Sequence, residues 1–205
     1  MQSASCATYG LRAATFLAAR GTTRRAEEER KNARSPGREE RRIRRPPSMP
    51  HVLLHAPRDF NNLCVLARTL DAFGYRACHV FDPHRIIRER YGKSYARRLR
   101  IVSSGAFSHI AWHRVAEPLE FVQRHGGRTI ATVADRHAVS LADFSFKSDD
   151  LLIFGSESDG LPANLISAVS CSITIPACGQ TQSLNLAAAA SICLFEASRQ
   201  LGPPA

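Results

Sequence analysis

Short apolar runs alternating with helical segments constrain this chain more than any other feature. "HVLLHA" (51–56), "RACHVF" (76–81), "RTIATVA" (128–134), "DLLIFG" (150–155) and "SITIPA" (172–177) read as strands. Helical patterns lie between them. In "NNLCVLARTLDAFG" (61–74), Leu63, Leu66, Ala67 and Leu70 recur at helical spacing and Gly74 stands at the end as a cap. The basic run 84–100, "EPLEFVQRHGG" (117–127) and "PANLISAV" (162–169) follow, and "SLNLAAAASICLFEASRQLG" (183–202) closes the chain. This order predicts an α/β fold, a mostly parallel sheet flanked by helices on both faces. Residues 49–205 read as that domain, without an internal repeat.

Residues 1–48 have a different character. Twelve of the 28 Lys and Arg fall there, with five of the 18 acids, so most of the net charge of +10 belongs to the leader. Its scarcity of large apolar residues predicts disorder. Three readings stay open. The absence of acids before Glu27, with Arg12, Arg20, Arg24 and Arg25, fits a transit peptide, which would send the chain to a mitochondrion or plastid. The segment also fits an RNA-binding arm, or an extension upstream of a start at Met49, whose place two residues before the first strand slightly favours this last reading. With the last of these the expected compartment is the cytoplasm. Six scattered cysteines without a C-x-x-C pair suggest reduced, buried thiols and support neither a zinc site nor a disulfide framework. No apolar run reaches the roughly 18 residues of a membrane span, so no membrane partner is expected.

"LLIFGSESDGLP" (151–162) is the most unusual stretch: an apolar strand runs into two glycines that enclose two acids and two hydroxyls. A hydrolase elbow needs G-x-S-x-G, which the spacing does not supply. A phosphate loop needs Gly-Lys-Ser/Thr, but Leu161 follows Gly160 and the loop charges are negative. The first strand is not followed by G-x-G-x-x-G, which disfavours a nucleotide-binding oxidoreductase. There remains a tight loop at the carboxyl end of a strand, where open α/β sheets bind ligands. A glycine-rich turn without a ligand is the plain alternative.

Three segments resemble one family. "PRDFNNLCVLARTLDAFG" (57–74) carries an Asn and an Arg six residues apart at the start of a helix. "LLIFGSESDGLP" carries Gly-x-Glu-x-x-Gly-Leu. "ITIPACGQTQSLNLAAAASICLFE" (173–196) carries Ile-Pro, then Ser-Leu-Asn and an alanine-rich helix. In this order and spacing they are similar to the SpoU (TrmH) branch of the SPOUT methyltransferases, over about 51–202. The resemblance implies a C-terminal trefoil knot, S-adenosyl-L-methionine (AdoMet) as cofactor, and methylation of a ribose 2′-hydroxyl of tRNA or rRNA. The space before the first strand and the ending "FEASRQLG" are similar to the minimal single-domain members that act on the tRNA wobble nucleotide. A non-catalytic RNA-binding protein of the same fold is the alternative.

The resemblance also implies site residues. Thr132, Gly155, Ile175, Ser183 and Leu184 would line the cofactor, with Gly155 allowing backbone contact and Gly160 and Gly179 allowing tight turns. Arg68, Asn62, Glu157, Ser183 and Asn185 would form the active site; no metal is implied. Arg68 would clamp the target phosphate and ease the developing alkoxide, since a guanidinium stays protonated and makes a poor base. Asn62 would fix the first loop, and Glu157 would orient Asn185, Arg68 or the cofactor's ammonium. Each has a plain alternative: an exposed helix arginine, a solvated loop acid, strand core at Ile175, a helix cap at Asn185. Two departures touch the fine geometry. Cys64 stands where the family has glycine, and Ala187 where it often has serine. The closing helix is apolar on nearly all sides, through Leu186, Ala187, Ala190, Ile192, Cys193, Leu194 and Phe195. Together with the family's habit of pairing subunits, this predicts a homodimer. The basic run 85–100 is expected on the outer rim, holding RNA phosphates.

Overall fold

The computed structural model describes residues 49–87 and 93–202. The expectations for residues 1–48 lie outside the described residues, as does the 88–92 part of the basic run. Among the described residues no helix is long and apolar enough to cross a membrane, and no group of His, Cys, Asp and Glu could hold a metal ion.

The elements in chain order are β1 (His51–His55), α1 (Phe60–Ala72), β2 (Ala77–Phe81), α2 (Lys93–Val102), β3 (Ala111–Arg114), α3 (Pro118–Gln123), β4 (Thr129–Thr132), β5 (Val139–Ser140), β6 (Leu151–Phe154), α4 (Ala163–Ile166), β7 (Cys171–Thr174) and α5 (Leu186–Leu201). The strands form one sheet in the order β3-β2-β1-β6-β4-β7-β5, and every pairing is parallel. The expected parallel α/β architecture is present. β3 and β5 are additions to the expected strands, and α4 is a single turn rather than the whole of 162–169. Within the basic run, residues 84–87 are not helical and Lys93–Val102 form α2.

Alternate residues of the central strands feed two cores. Val52, Leu54, Ile130, Leu152, Phe154 and Ile173 face the side on which α1 and α5 pack. Leu53, Ala131, Leu151 and Ile153 face Val122 of α3 and Leu165 of α4. Burial on both faces explains why these strands read as short apolar runs.

The sheet's amino-terminal edge is tied by ions. Asp150 is fully buried and accepts from Arg128 Nε (2.8 Å) and Nη2 (2.7 Å) and from the Lys147 N–H (2.7 Å). Arg128 also donates to the Ser145 carbonyl (2.8 Å) and lies over the Phe144 ring. Arg128→Ala would leave a buried carboxylate without its cation. Such a loss costs about 3–5 kcal/mol, a fall of roughly 10 °C in Tm for a domain of this size. Thermal melting of the variant checks this; a change no larger than about 1 kcal/mol, ordinary for a surface pair, would refute it.

Candidate active site

Three loops leave the carboxyl ends of neighbouring strands and converge: 56–59 after β1, 155–162 after β6 and 175–185 after β7. In the first, Asp59 caps α1, its Oδ1 accepting from the N–H groups of Asn61 (2.6 Å) and Asn62 (2.9 Å). That cap sets the turn from which the Asn62 side chain reaches the second loop.

The second loop closes on itself. Ser156 and Gly160 exchange backbone hydrogen bonds of 3.0 and 3.1 Å, and Gly160 adopts φ +65°. A Cβ on Gly155 would lie 2.2 Å from the Gly160 carbonyl carbon. Gly155 is therefore needed for packing within the loop, in addition to any approach to a ligand. Gly160 makes the expected tight turn, whereas Gly179 stands at a bend without a left-handed φ.

Glu157 joins the loops. Its Oε1 accepts from Asn62 Nδ2 (2.9 Å) and the Asp59 N–H (3.1 Å), and its Oε2 accepts from the Arg58 N–H (2.9 Å). Arg58 adds an ion pair to Asp159 at 2.7 Å. Burial pushes the Glu157 carboxyl up, but the hydrogen bonds from Asn62 and from the Arg58 and Asp59 backbone outweigh it and hold the group below the ordinary carboxylate range. Asn185 completes the relay. Its Oδ1 caps α5 by accepting from the Ala187 (2.9 Å) and Ala188 (3.3 Å) N–H groups, while its Nδ2 donates to Asn62 Oδ1 at 3.0 Å. Asn185 thus caps α5 and tethers Asn62 at the same time. Since a side-chain amide has two N–H groups, Asn62 and Asn185 each keep one for a ligand.

Arg68 is not part of this cluster in the single chain. It is exposed on α1 and makes no hydrogen bond or ion pair among the described residues. Helix geometry sets it about 9 Å along the axis from Asn62 and about 120° around it. Near it lies the seam of α1 and α5, bridged by a 2.8 Å hydrogen bond between the Thr69 and Ser191 hydroxyls and by the Phe73–Phe195 ring contact. The seam is bordered by exposed apolar side chains: Val65 (47%), Ile192 (40%) and Phe195 (54%).

Residues 49–195 match the family described as SpoU rRNA Methylase. The chain belongs to that family. The tRNA (guanosine(18)-2′-O)-methyltransferase of Thermus thermophilus is 31% identical over 178 residues, covering 84% of this chain and 85% of the relative. The Escherichia coli protein of the same description is longer: the match, 26% identical, covers 72% of this chain and 60% of that one. Among solved structures, one concerned with 2-OH methylation of C/U34 on tRNA is 30% identical with a TM-score of 0.64, covering 75% of this chain and 96% of that one. The AdoMet-bound rRNA methyltransferase from Sinorhizobium meliloti is 29% identical with a TM-score of 0.62, covering 76% and 57%.

Within this SpoU chain, three of the residues expected at the cofactor stand together. Thr132 ends β4, donates its hydroxyl to the Ile153 carbonyl (2.9 Å) and pairs in register with Ile173; Gly155 follows β6 and Ile175 follows β7. Ile175 is half-buried and packs partly on the core, so its plain reading as core holds in part. Ser183 and Leu184 are exposed and precede the α5 cap. A surface depression of about 380 Å³ lined by Val133, Asp135, His137, Ala138, Val139, Ile166 and Ser172 adjoins this region but includes none of the five. Cys64 lies inside α1, fully buried, so its bulk is taken up by the core and not by the preceding loop. Ala187 is buried beneath its cap. Arg58 and Asp59 also belong to this hydrogen-bonded cluster, and neither was among the residues expected there. Asp59 had a local signal, an acid just before an apolar-periodic segment; Arg58, 99 residues from Glu157, had none.

Proposed function

We propose that this chain transfers a methyl group from AdoMet to a ribose 2′-hydroxyl of tRNA or rRNA. The observation that carries the reading is the Asn185–Asn62–Glu157 relay, which draws one residue from each of the three motif segments into one hydrogen-bonded unit. The chain around it also suits the cofactor. Among the described residues, no backbone hydrogen bond ties residues 176–184 to the rest, which leaves their N–H and C=O groups for the edge of an adenine. Thr132, Gly155, Ile175, Ser183 and Leu184 would hold AdoMet. Bound there, it supplies an electrophilic methyl on a sulfonium.

Glu157 is not the base in this reading. Its oxygens already accept three hydrogen bonds, and its carboxyl is ionised well below neutrality. It holds Asn62, which holds Asn185, so that the remaining amide N–H groups face a fixed point. Alignment of this kind supplies much of the rate in a displacement reaction. Arg68 holds the phosphate beside the reacting ribose and lowers the cost of the developing alkoxide. Being remote from the relay in its own chain, it serves the site of a second copy. The apolar border of the α1–α5 seam is the surface through which two copies would pair, and light scattering at micromolar concentration should give the dimer mass. Of the two RNA classes a tRNA is the first candidate, at the wobble nucleotide before nucleotide 18. The C-terminal knot belongs to the same proposal, supported by family membership. The proposed compartment is the cytoplasm, or a mitochondrion or plastid if residues 1–48 are a transit peptide.

Titration calorimetry tests the cofactor. AdoMet is expected to bind one site per chain and NAD to give no heat; the reverse result would overturn the reading.

A further inference from the structure

The helix α2 stands beside this site and has no role in the relay. Its sides divide cleanly. Tyr95, Leu99 and Val102 are half-buried, while Arg97, Arg98, Arg100 and Ile101 are exposed. At about 100° per residue those four share one side. Among the described residues none of the three arginines has a carboxylate partner. The helix is held in place against the first turn of α1. The Tyr95 ring packs on Phe60 at 5.3 Å between centroids, its hydroxyl donates to the Ile86 carbonyl, and the Arg98 guanidinium lies 5.1 Å from the Phe60 ring centre. Phe60 immediately follows Asp59, whose N–H holds Glu157, and is two residues before Asn62.

We infer that α2 is the docking helix for the substrate strand, its Arg97, Arg98 and Arg100 holding successive phosphates of RNA next to the target ribose. This rests on the reading of the chain as an RNA methyltransferase and adds which element delivers the RNA. Unpaired guanidiniums fit phosphate bidentately, and Arg98 is already oriented by the ring beneath it, so little freedom is lost on binding. Ile101, 61% exposed between the arginines, offers an apolar surface to a sugar or base. An anionic membrane is the competing partner for a basic helix. It is disfavoured because an interfacial helix needs a broad apolar face, and Ile101 is the one exposed apolar side chain among the described side chains of α2.

The test is the combined variant Arg97→Gln, Arg98→Gln, Arg100→Gln in the full chain, measured by binding to unmodified tRNA transcripts over a range of salt. Glutamine keeps helix propensity, so the element should persist. Loss of three phosphate contacts should make the slope of log K against log salt shallower by about 2, raise KM for tRNA and leave AdoMet affinity unchanged. The triple Arg→Lys variant should keep the wild-type slope. An unchanged slope in the glutamine variant would overturn the assignment, and so would lost binding to phosphatidylserine vesicles with tRNA binding retained. Because the slope is a binding measurement, it decides on α2 even if the wild-type chain were to bind tRNA without methylating it, an outcome that counts against the proposed activity alone.

Discussion

Arg68→Ala is expected to lower methyl transfer by about 100- to 1,000-fold, the range for losing one group that stabilises a developing oxyanion. AdoMet affinity should hardly change, because Arg68 is exposed on α1 and apart from the cofactor loops. The same substitution separates a site within one chain from a site shared between two. Asn62, Glu157 and Asn185 are joined within a single chain, and Arg68 is not joined to them. If a second copy supplies Arg68, mixing Arg68→Ala with Glu157→Ala subunits should restore activity. Random pairing makes half of the dimers mixed, and each has one intact site, so about a quarter of wild-type activity should return. A mixture as inactive as its components would place Arg68 and Glu157 in one site of one chain. Parallel loss of AdoMet binding and transfer in Arg68→Ala would make the residue structural.

Glu157→Gln should be nearly as damaging as Glu157→Ala, with a loss of about 100-fold, the scale on which small displacements of reacting groups are felt. The reason lies in the donors that surround the carboxylate. Three N–H groups point at its two oxygens, from Asn62, Asp59 and Arg58. A glutamine amide would set its own N–H groups against at least one of them. The effect should fall on kcat more than on KM for tRNA. The pH profile gives a second readout. Folding holds the Glu157 carboxyl below its ordinary range, so the relay should be lost only as pH falls through that lowered value, and no limb near neutrality should belong to Glu157. A neutral limb that disappears in Glu157→Gln would make Glu157 the base after all.

Much of the fold was legible because the central strands are buried on both faces. β6 and the centre of β1 read as apolar runs, β4 as a short Ile-Ala core between threonines, and α1 showed its buried side through Leu63, Leu66 and Leu70. The missed strands are those without such burial. β3 is "AWHR", a mostly exposed edge strand, and β5 has two residues. An edge strand buries little and leaves little pattern. The site was legible where a residue type carries its own local reason. Asn185 caps α5, and Gly160 turns with a positive φ. It was not legible where the partner is distant in sequence. Nothing near Arg58 announces that its N–H will hold a carboxylate 99 residues later; the parallel pairing of β1 with β6 brings the two loops together.

The most direct measurement is methyl transfer itself. The full-length chain is incubated with AdoMet carrying a labelled methyl and with unmodified tRNA transcripts, and the product nucleosides are resolved. Label is expected on the ribose 2′-oxygen of one nucleotide, at most one methyl per tRNA, and with Arg68→Ala at a rate lowered by about 100-fold or more. Label on a base, or AdoMet bound with no transfer to either tRNA or rRNA, would contradict the proposed function.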